Sequence, residues 1–136
     1  MKVLVAGKDL SPYLVLSSLR AACLAGICSL RTSFKVLTEH FETYVLSTAP
    51  WDNPSAWSDK LLWIKNNLGE HAFKRLILTH HKNLNIGDYL IDDRKARGAD
   101  LFGGEHIHFG AEKFLDWPSV LNYLFKKEAI NVSADF

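Results

Sequence analysis

Residues Arg75–Arg94 read RLILTHHKNLNIGDYLIDDR. Two short apolar runs lie inside this stretch, Leu76–Leu78 and Tyr89–Ile91. Each stops at once on polar residues: Thr79, His80, His81 and Lys82 after the first, Asp92, Asp93 and Arg94 after the second. Apolar runs of this length, bounded by turn residues, are the pattern of strands buried on both faces of a parallel sheet. In such sheets ligands bind beyond the carboxyl ends of the strands. A lysine after one strand and paired carboxylates after its neighbour place a cation and two acids on one rim. Carboxylates supply the hard oxygen ligands that Mg²⁺ takes, and a lysine supplies a point charge for phosphoryl oxygens.

Working outward, the chain alternates strand and helix signals. Lys2–Ala6 (KVLVA) is a β-branched run ended by Gly7. Ser11 can cap a helix with Pro12 at its first position, and apolar residues recur from Leu14 to Leu30. A further helix is expected from Ser33 to about His40, then a strand over Thr43–Leu46 ending in Ser47-Thr48. Pro50, Asn53 and Pro54 mark a loop, and Ser55 offers a cap for a helix running to Leu68 with Gly69 just past its end. Too few residues separate Leu78 from Asp88 for a crossover helix, so a single turn is expected there. Gly98–Gly104 reads as loop, His106–Phe109 as a last strand, Pro118–Lys127 as a last helix, and the tail from Glu128 as loose. The alternation predicts an α/β fold: a three-layer sandwich with one parallel sheet between helices, in a single domain over residues 1–136.

Composition sets bounds. The chain has 136 residues, 48% of them hydrophobic, and a net charge of +1, so it can bury a core and lacks the basic footprint of a nucleic-acid binder. Nothing approaches the roughly 18 consecutive apolar residues of a membrane span. The N-terminal run is cut short by Gly7-Lys8-Asp9, unlike a secretory leader, and the expected location is cytoplasmic. Cys23 and Cys28, about 140° apart on a helix, read as reduced core residues.

Several residues carry candidate chemistry. Ser47-Thr48 offer hydroxyls and N–H groups for a phosphate, against the plainer reading of a strand-to-loop junction. Lys82 alone would be an ordinary solvated lysine. Asp92 and Asp93 repel each other and need a cation, which a metal, a helix end or Arg94 would supply. His80 and His81 point opposite ways in an extended segment and read as loop histidines. His106 and His108 share a strand face, but no third ligand at suggestive spacing makes them a zinc site. The four tryptophans read mainly as packing residues, although Trp51, beside Ser47-Thr48, is placed to stack on a base.

The order of these features is more specific than any one of them. A hydroxyl after one strand, a lysine after the next and paired aspartates after the third resemble the haloacid dehalogenase superfamily of phosphatases. More closely, STAPWDNPSAWSDKLLWIKNNLG, LILTHHKNLNIGDYLIDDR, and GEHIHFG with the following FLDWPSVLNYL resemble the 5'(3')-deoxyribonucleotidase family, over Phe34 to about Leu124. The resemblance implies Mg²⁺-dependent hydrolysis of nucleoside monophosphates through an aspartyl-phosphate. Ser47 and Thr48 match its phosphate-binding hydroxyls, Lys82 its phosphate-neutralising lysine, and Asp92 and Asp93 its metal-binding acids.

Residues 1–33 depart from the family. Its members follow the first strand with Asp-x-Asp-Gly, the first Asp being nucleophile and metal ligand and the second the acid–base group. Here Gly7-Lys8-Asp9-Leu10 follows KVLVA. Gly7 then replaces the nucleophile, and Asp9 keeps the acid–base position beside the metal. The interval from Asp9 to Ser47 leaves room for a crossover but hardly for the small cap that helps enclose the nucleoside. The family's first strand occupies the centre of the sheet, and Lys2–Ala6 alone can fill it, with Leu14–Leu30 as its right-handed crossover. The expectation is a family domain with an impaired or absent catalytic step. The alternatives are an active phosphatase in which another acid attacks, and a non-enzymatic phosphate, metal or interaction module that forms a homodimer through the surface a cap would cover.

Overall fold

The structure is a computed structural model that describes residues 2–5 and 28–130. Strand β1 spans Lys2–Val5, helix α1 Cys28–His40, strand β2 Glu42–Ser47, helix α2 Pro54–Asn67, strand β3 Leu76–Leu78, strand β4 Tyr89–Asp92, strand β5 Glu105–His108 and helix α3 Trp117–Lys127. One-turn 3-10 helices lie at Gly69–Ala72, Lys82–Leu84 and Ala99–Leu101. The strands form one all-parallel sheet in the order β3-β2-β1-β4-β5.

Strand β1 takes the central slot, paired to β2 on one side and β4 on the other. Its Val3, Leu4 and Val5 are all buried. Burying each such side chain is worth roughly 1.5–3 kcal/mol over leaving it exposed, and the slot also pairs the inner edges of β2 and β4. The register lines up Leu76, Val45, Val5, Ile91 and Ile107 in one row across all five strands. Strand side chains alternate between faces, so the sheet carries two apolar clusters. The larger joins Val3, Val5, Val45, Tyr89, Ile91 and Ile107 to residues of α1, α2 and α3. The smaller contains Leu4, Leu46, Leu90, Ala99 and Phe102.

Among the described residues the three α-helices pack on the face that carries the larger cluster; the α/β fold with one parallel sheet is as expected, and the expected Leu14–Leu30 crossover lies almost wholly outside the described residues. The β3–β4 and β4–β5 connections have room only for the turns at Lys82–Leu84 and Ala99–Leu101, and the latter supplies cover to the second face through Ala99 and Phe102. The single turn expected between Leu78 and Asp88 is thus present, and Gly98–Gly104, expected as loop, contains another. Gly104 has no room for a side chain: a Cβ there would lie 2.5 Å from the carbonyl oxygens of Gly87 and Asp88, against which β5 begins.

Other boundaries shift. Helix α1, Cys28–His40, already includes residues ahead of the expected start at Ser33. Helix α2 begins one residue before Ser55, with Asn53 at the cap position, and Ser55 donates its hydroxyl proton to the Asn53 carboxamide oxygen at 2.8 Å. Pro54 starts the helix instead, its fixed φ suiting the first turn. The tail is not loose at its start: the N–H groups of Glu128, Ala129 and Ile130 donate to the carbonyls of Leu124, Lys126 and Phe125. The crossover at Leu14–Leu30 falls almost wholly outside the described residues, as do Ser11, Cys23 and the end of the tail. No helix among the described residues is long and apolar enough to cross a membrane.

Candidate active site

Asp92 closes strand β4 and is wholly buried, and Lys82, in the turn after β3, is 6% exposed. Their side chains meet with Nζ 2.5 Å from Oδ2. A charge is buried only when paired, so each residue makes the other's burial tolerable. The lysine read in isolation as solvated is thus a core cation. Backbone geometry holds it there. Arg97 has φ 58° and Gly98 φ 82°, two successive left-handed residues that turn the Arg97 carbonyl to accept from the Lys82 N–H at 2.8 Å. A Cβ on Gly98 would fall 2.2 Å from Asn83 Oδ1. The other oxygen of Asp92, Oδ1, accepts from the Arg94 N–H at 3.1 Å, which folds the chain into a tight turn over Asp93.

Ser47 ends β2, on the other side of β1. It is buried, and its Oγ accepts from Lys60 Nζ at 2.9 Å. That leaves the serine proton available to an anion. Thr48 acts differently: its hydroxyl donates to the Thr79 carbonyl at 2.8 Å and ties the β2 loop to the β3 loop. The Thr79 N–H in turn reaches the Ser47 carbonyl at 2.8 Å.

Lys60 was not foreseen. It extends from α2 towards the rim, and its pKa is lowered by burial first, then by the positive charges of Lys82 and Arg94. Lys82 and Arg94 thus act on Lys60, whose Nζ holds the Ser47 hydroxyl. A signal existed: Ala56, Lys60 and Ile64 lie at successive four-residue steps, so a lysine interrupts the buried stripe of the helix.

Below the acids, His106 Nε2 lies 3.2 Å from the Asp92 carbonyl oxygen and His108 Nε2 3.1 Å from that of Asp93. On the outer side, Trp51 is 78% exposed, and the His80 ring lies within 6.1 Å of Trp51 and 5.8 Å of Trp57. Trp63 and Trp117 are core residues.

The rim therefore gathers Lys82 with Asp92 and Lys60 with Ser47 across the end of β1. Gly7 and Asp9 lie outside the described residues. Among those that are described, no group of three or more His, Cys, Asp or Glu side chains converges. The donor set nevertheless fits Mg²⁺, which is commonly held by one or two carboxylates with waters and substrate phosphates completing the octahedron. Asp92, with two hydrogen bonds, retains lone pairs, and Asp93 adjoins it.

Known proteins resemble this chain over part of its length. A Vibrio phage KVP40 protein named "Putative 5'(3')-deoxyribonucleotidase" is 62% identical over 92 residues, which cover 68% of this chain and 54% of the phage protein. A Bordetella parapertussis protein of the same name is 54% identical over 76 residues, covering 49% of this chain and 41% of its own length. A Staphylococcus aureus (strain Mu50) protein, again so named, is 33% identical over 98 residues, covering 65% and 53%. The chain thus spans about half the length of the relatives it matches. No family model matches it.

Proposed function

From a chain whose 92-residue segment belongs to the 5'(3')-deoxyribonucleotidase family, we propose a nucleotidase-like site that binds a nucleoside monophosphate and Mg²⁺ at the carboxyl rim, with catalysis impaired by Gly7. The observation that carries this reading is the Lys60 Nζ bond to the buried Ser47 hydroxyl on the same rim as the buried Lys82–Asp92 pair. A buried hydroxyl that accepts from a lysine keeps its own proton to donate, and lysines supply point charges for phosphoryl oxygens, so the pair suits a phosphate.

In this reading the Ser47 hydroxyl donates to one phosphoryl oxygen, and Lys60 and Lys82 neutralise others. Lys82 does so while keeping Asp92 compatible with burial. Asp92 and Asp93 would hold Mg²⁺, which when bound offsets phosphoryl charge. Asp9, two residues beyond Gly7, would protonate the leaving oxygen. Displacement at phosphorus needs a nucleophile in line with the leaving oxygen, and glycine supplies none. Loss of a covalent nucleophile costs several powers of ten in rate in other enzymes.

The test is Mg²⁺-dependent phosphate release from deoxynucleoside monophosphates. The wild-type chain should release almost none. Gly7→Asp should gain measurable Mg²⁺-dependent turnover, and Gly7→Asp with Asp9→Asn should lose most of the gain. Brisk wild-type turnover would overturn the impaired reading. A folded Gly7→Asp chain that binds nucleotide yet gains nothing would favour a second reading, a phosphate-binding module without turnover. The Lys82–Asp92 pair is compatible with that reading, since it neutralises Asp92 without any metal.

A further inference from the structure

The backbone ladder between β4 and β5 ends at the pair Asp92↔His108, with one more bond from the Phe109 N–H to the Asp92 carbonyl at 3.0 Å. Asp93 lies beyond it. Adjacent residues of an extended strand point to opposite faces, and adjacent carboxylates repel. For Asp92 and Asp93 to serve one ion, the chain must leave strand geometry immediately after Asp92 and be held in the new direction. The Arg94 N–H bond to Asp92 Oδ1 marks that turn.

Two imidazoles support it from the neighbouring strand. His106 and His108 are two apart on β5 and share a face, their ring centroids 5.7 Å apart. Their Nε2 atoms lie 3.2 and 3.1 Å from the carbonyl oxygens of Asp92 and Asp93 respectively. A carbonyl only accepts, so each hydrogen bond requires its proton on Nε2. Two successive peptide groups are thus gripped by two successive donors.

We propose that His106 and His108 are positioning residues for metal binding: through paired Nε2–H donors they fix the peptides of Asp92 and Asp93 and hence the direction of both carboxylates. The inference rests on the reading that these aspartates hold Mg²⁺. The residue type suits the task. A lysine here would compete for the carboxylates as Lys82 does, whereas an imidazole N–H takes the carbonyl and leaves the carboxylate lone pairs for a metal. A role for the two histidines as ligands themselves would call for further donors, and none gathers with them among the described residues. Groups that orient metal ligands typically change metal affinity by about 10–100-fold when removed.

The experiment titrates Mg²⁺ against the melting temperature of the full chain. Wild type should show a saturable rise. His106→Phe with His108→Phe keeps the ring and removes the donor, and should shift the midpoint of that rise to about tenfold higher Mg²⁺. His106→Gln with His108→Gln restores an amide N–H near the Nε2 position and should recover most of the affinity. A double Phe variant with a lower melting temperature but the wild-type Mg²⁺ midpoint would make the histidines merely structural and overturn the proposal. A wild-type chain indifferent to Mg²⁺ would instead remove the metal reading beneath it. Should the double Phe variant not fold, imidazole ¹⁵N spectra of the wild type decide. Nε2–H tautomers at both residues support the proposal, and an Nδ1–H tautomer at either overturns it.

Discussion

Two ion pairs in this molecule have the same length and opposite consequences. Lys82 and Asp92 meet at 2.5 Å with side chains 7% and 0% exposed. Lys127 and Glu105 also meet at 2.5 Å, with side chains 44% and 35% exposed. The first lies at the carboxyl end of the sheet, between two loops. The second lies at the opposite end, where Glu105 opens β5 and Lys127 closes α3. Distance alone would rank them equal. Burial separates them, because water screens the exposed pair and leaves the buried pair dependent on itself. The buried pair is a poor device for stability and a reasonable one for a site, since it holds a cation and a carboxylate ready where an anion and a metal would compete for them.

The largest expected effect follows from cutting the buried pair. Lys82→Met leaves Asp92 charged and wholly enclosed, which should cost roughly 3–5 kcal/mol of unfolding free energy in urea titrations. Asp92→Leu in the Lys82→Met background should recover much of it, because two apolar groups need no counter-charge. A loss under about 1 kcal/mol for Lys82→Met would show that the pair is screened after all, and the contrast with Lys127–Glu105 would collapse.

The next effect is functional and sits at the same end. Mg²⁺ should raise the melting temperature of the wild-type chain, and Asp92→Asn with Asp93→Asn should abolish the rise. Binding to the native state alone contributes about 2.7 kcal/mol at a ligand concentration 100-fold above Kd. A smaller gain is expected here, since Gly7 offers no carboxylate. An unchanged Mg²⁺ response in the double Asn variant would place the ion elsewhere.

What was readable beforehand divides along the same line. Strand ends announce themselves, because an apolar run must stop on polar residues where the sheet meets solvent. Ser47, Lys82, Asp92 and Asp93 were legible as rim candidates for that reason; the central slot came from the family resemblance, which asks for a strand that only the Lys2–Ala6 run could supply, and Lys2–Val5 fills it. Lys60 was not, because it reaches the rim from the middle of a helix and a lysine there reads as solvated. The histidine contacts were not, because they involve backbone carbonyls and depend on the register of β4 against β5. Asn53 displaced Ser55 at the cap position because Pro54 sets the start of the helix.

A smaller effect tests the exposed end through Tyr89. Burial, then a hydrogen bond from its hydroxyl to Glu128, pushes its pKa up from 10.0 to about 12. A raised folded pKa contributes stability that is complete below the unfolded value and is lost as pH rises through the folded one. Stability should therefore decline from about pH 10 towards pH 12, as followed by denaturation, and Tyr89→Phe should flatten that decline. A decline of equal slope in the Phe variant would assign it to other groups.

The smallest effect belongs to the exposed pair itself. Burial pushes the Glu105 carboxyl up, but hydrogen bonds from Lys127 and Tyr123 outweigh it and hold its pKa below the ordinary value. A lowered pKa adds stability above the unfolded pKa and loses it as pH falls through the folded one. Lys127→Met removes the principal partner. It leaves Glu105 in contact with water and with the Tyr123 hydroxyl, so no buried charge is stranded. The cost at neutral pH should be small beside that of Lys82→Met, and it should shrink further between 0.05 and 1 M salt as screening shortens to about 3 Å. The Lys127 ammonium also lies 5.2 Å from the Tyr89 ring centroid and 5.6 Å from that of Tyr123, so the variant removes these cation–ring contacts together with the ion pair. If Lys127→Met instead costs as much as Lys82→Met and the cost persists in high salt, exposure is not what separates the two pairs.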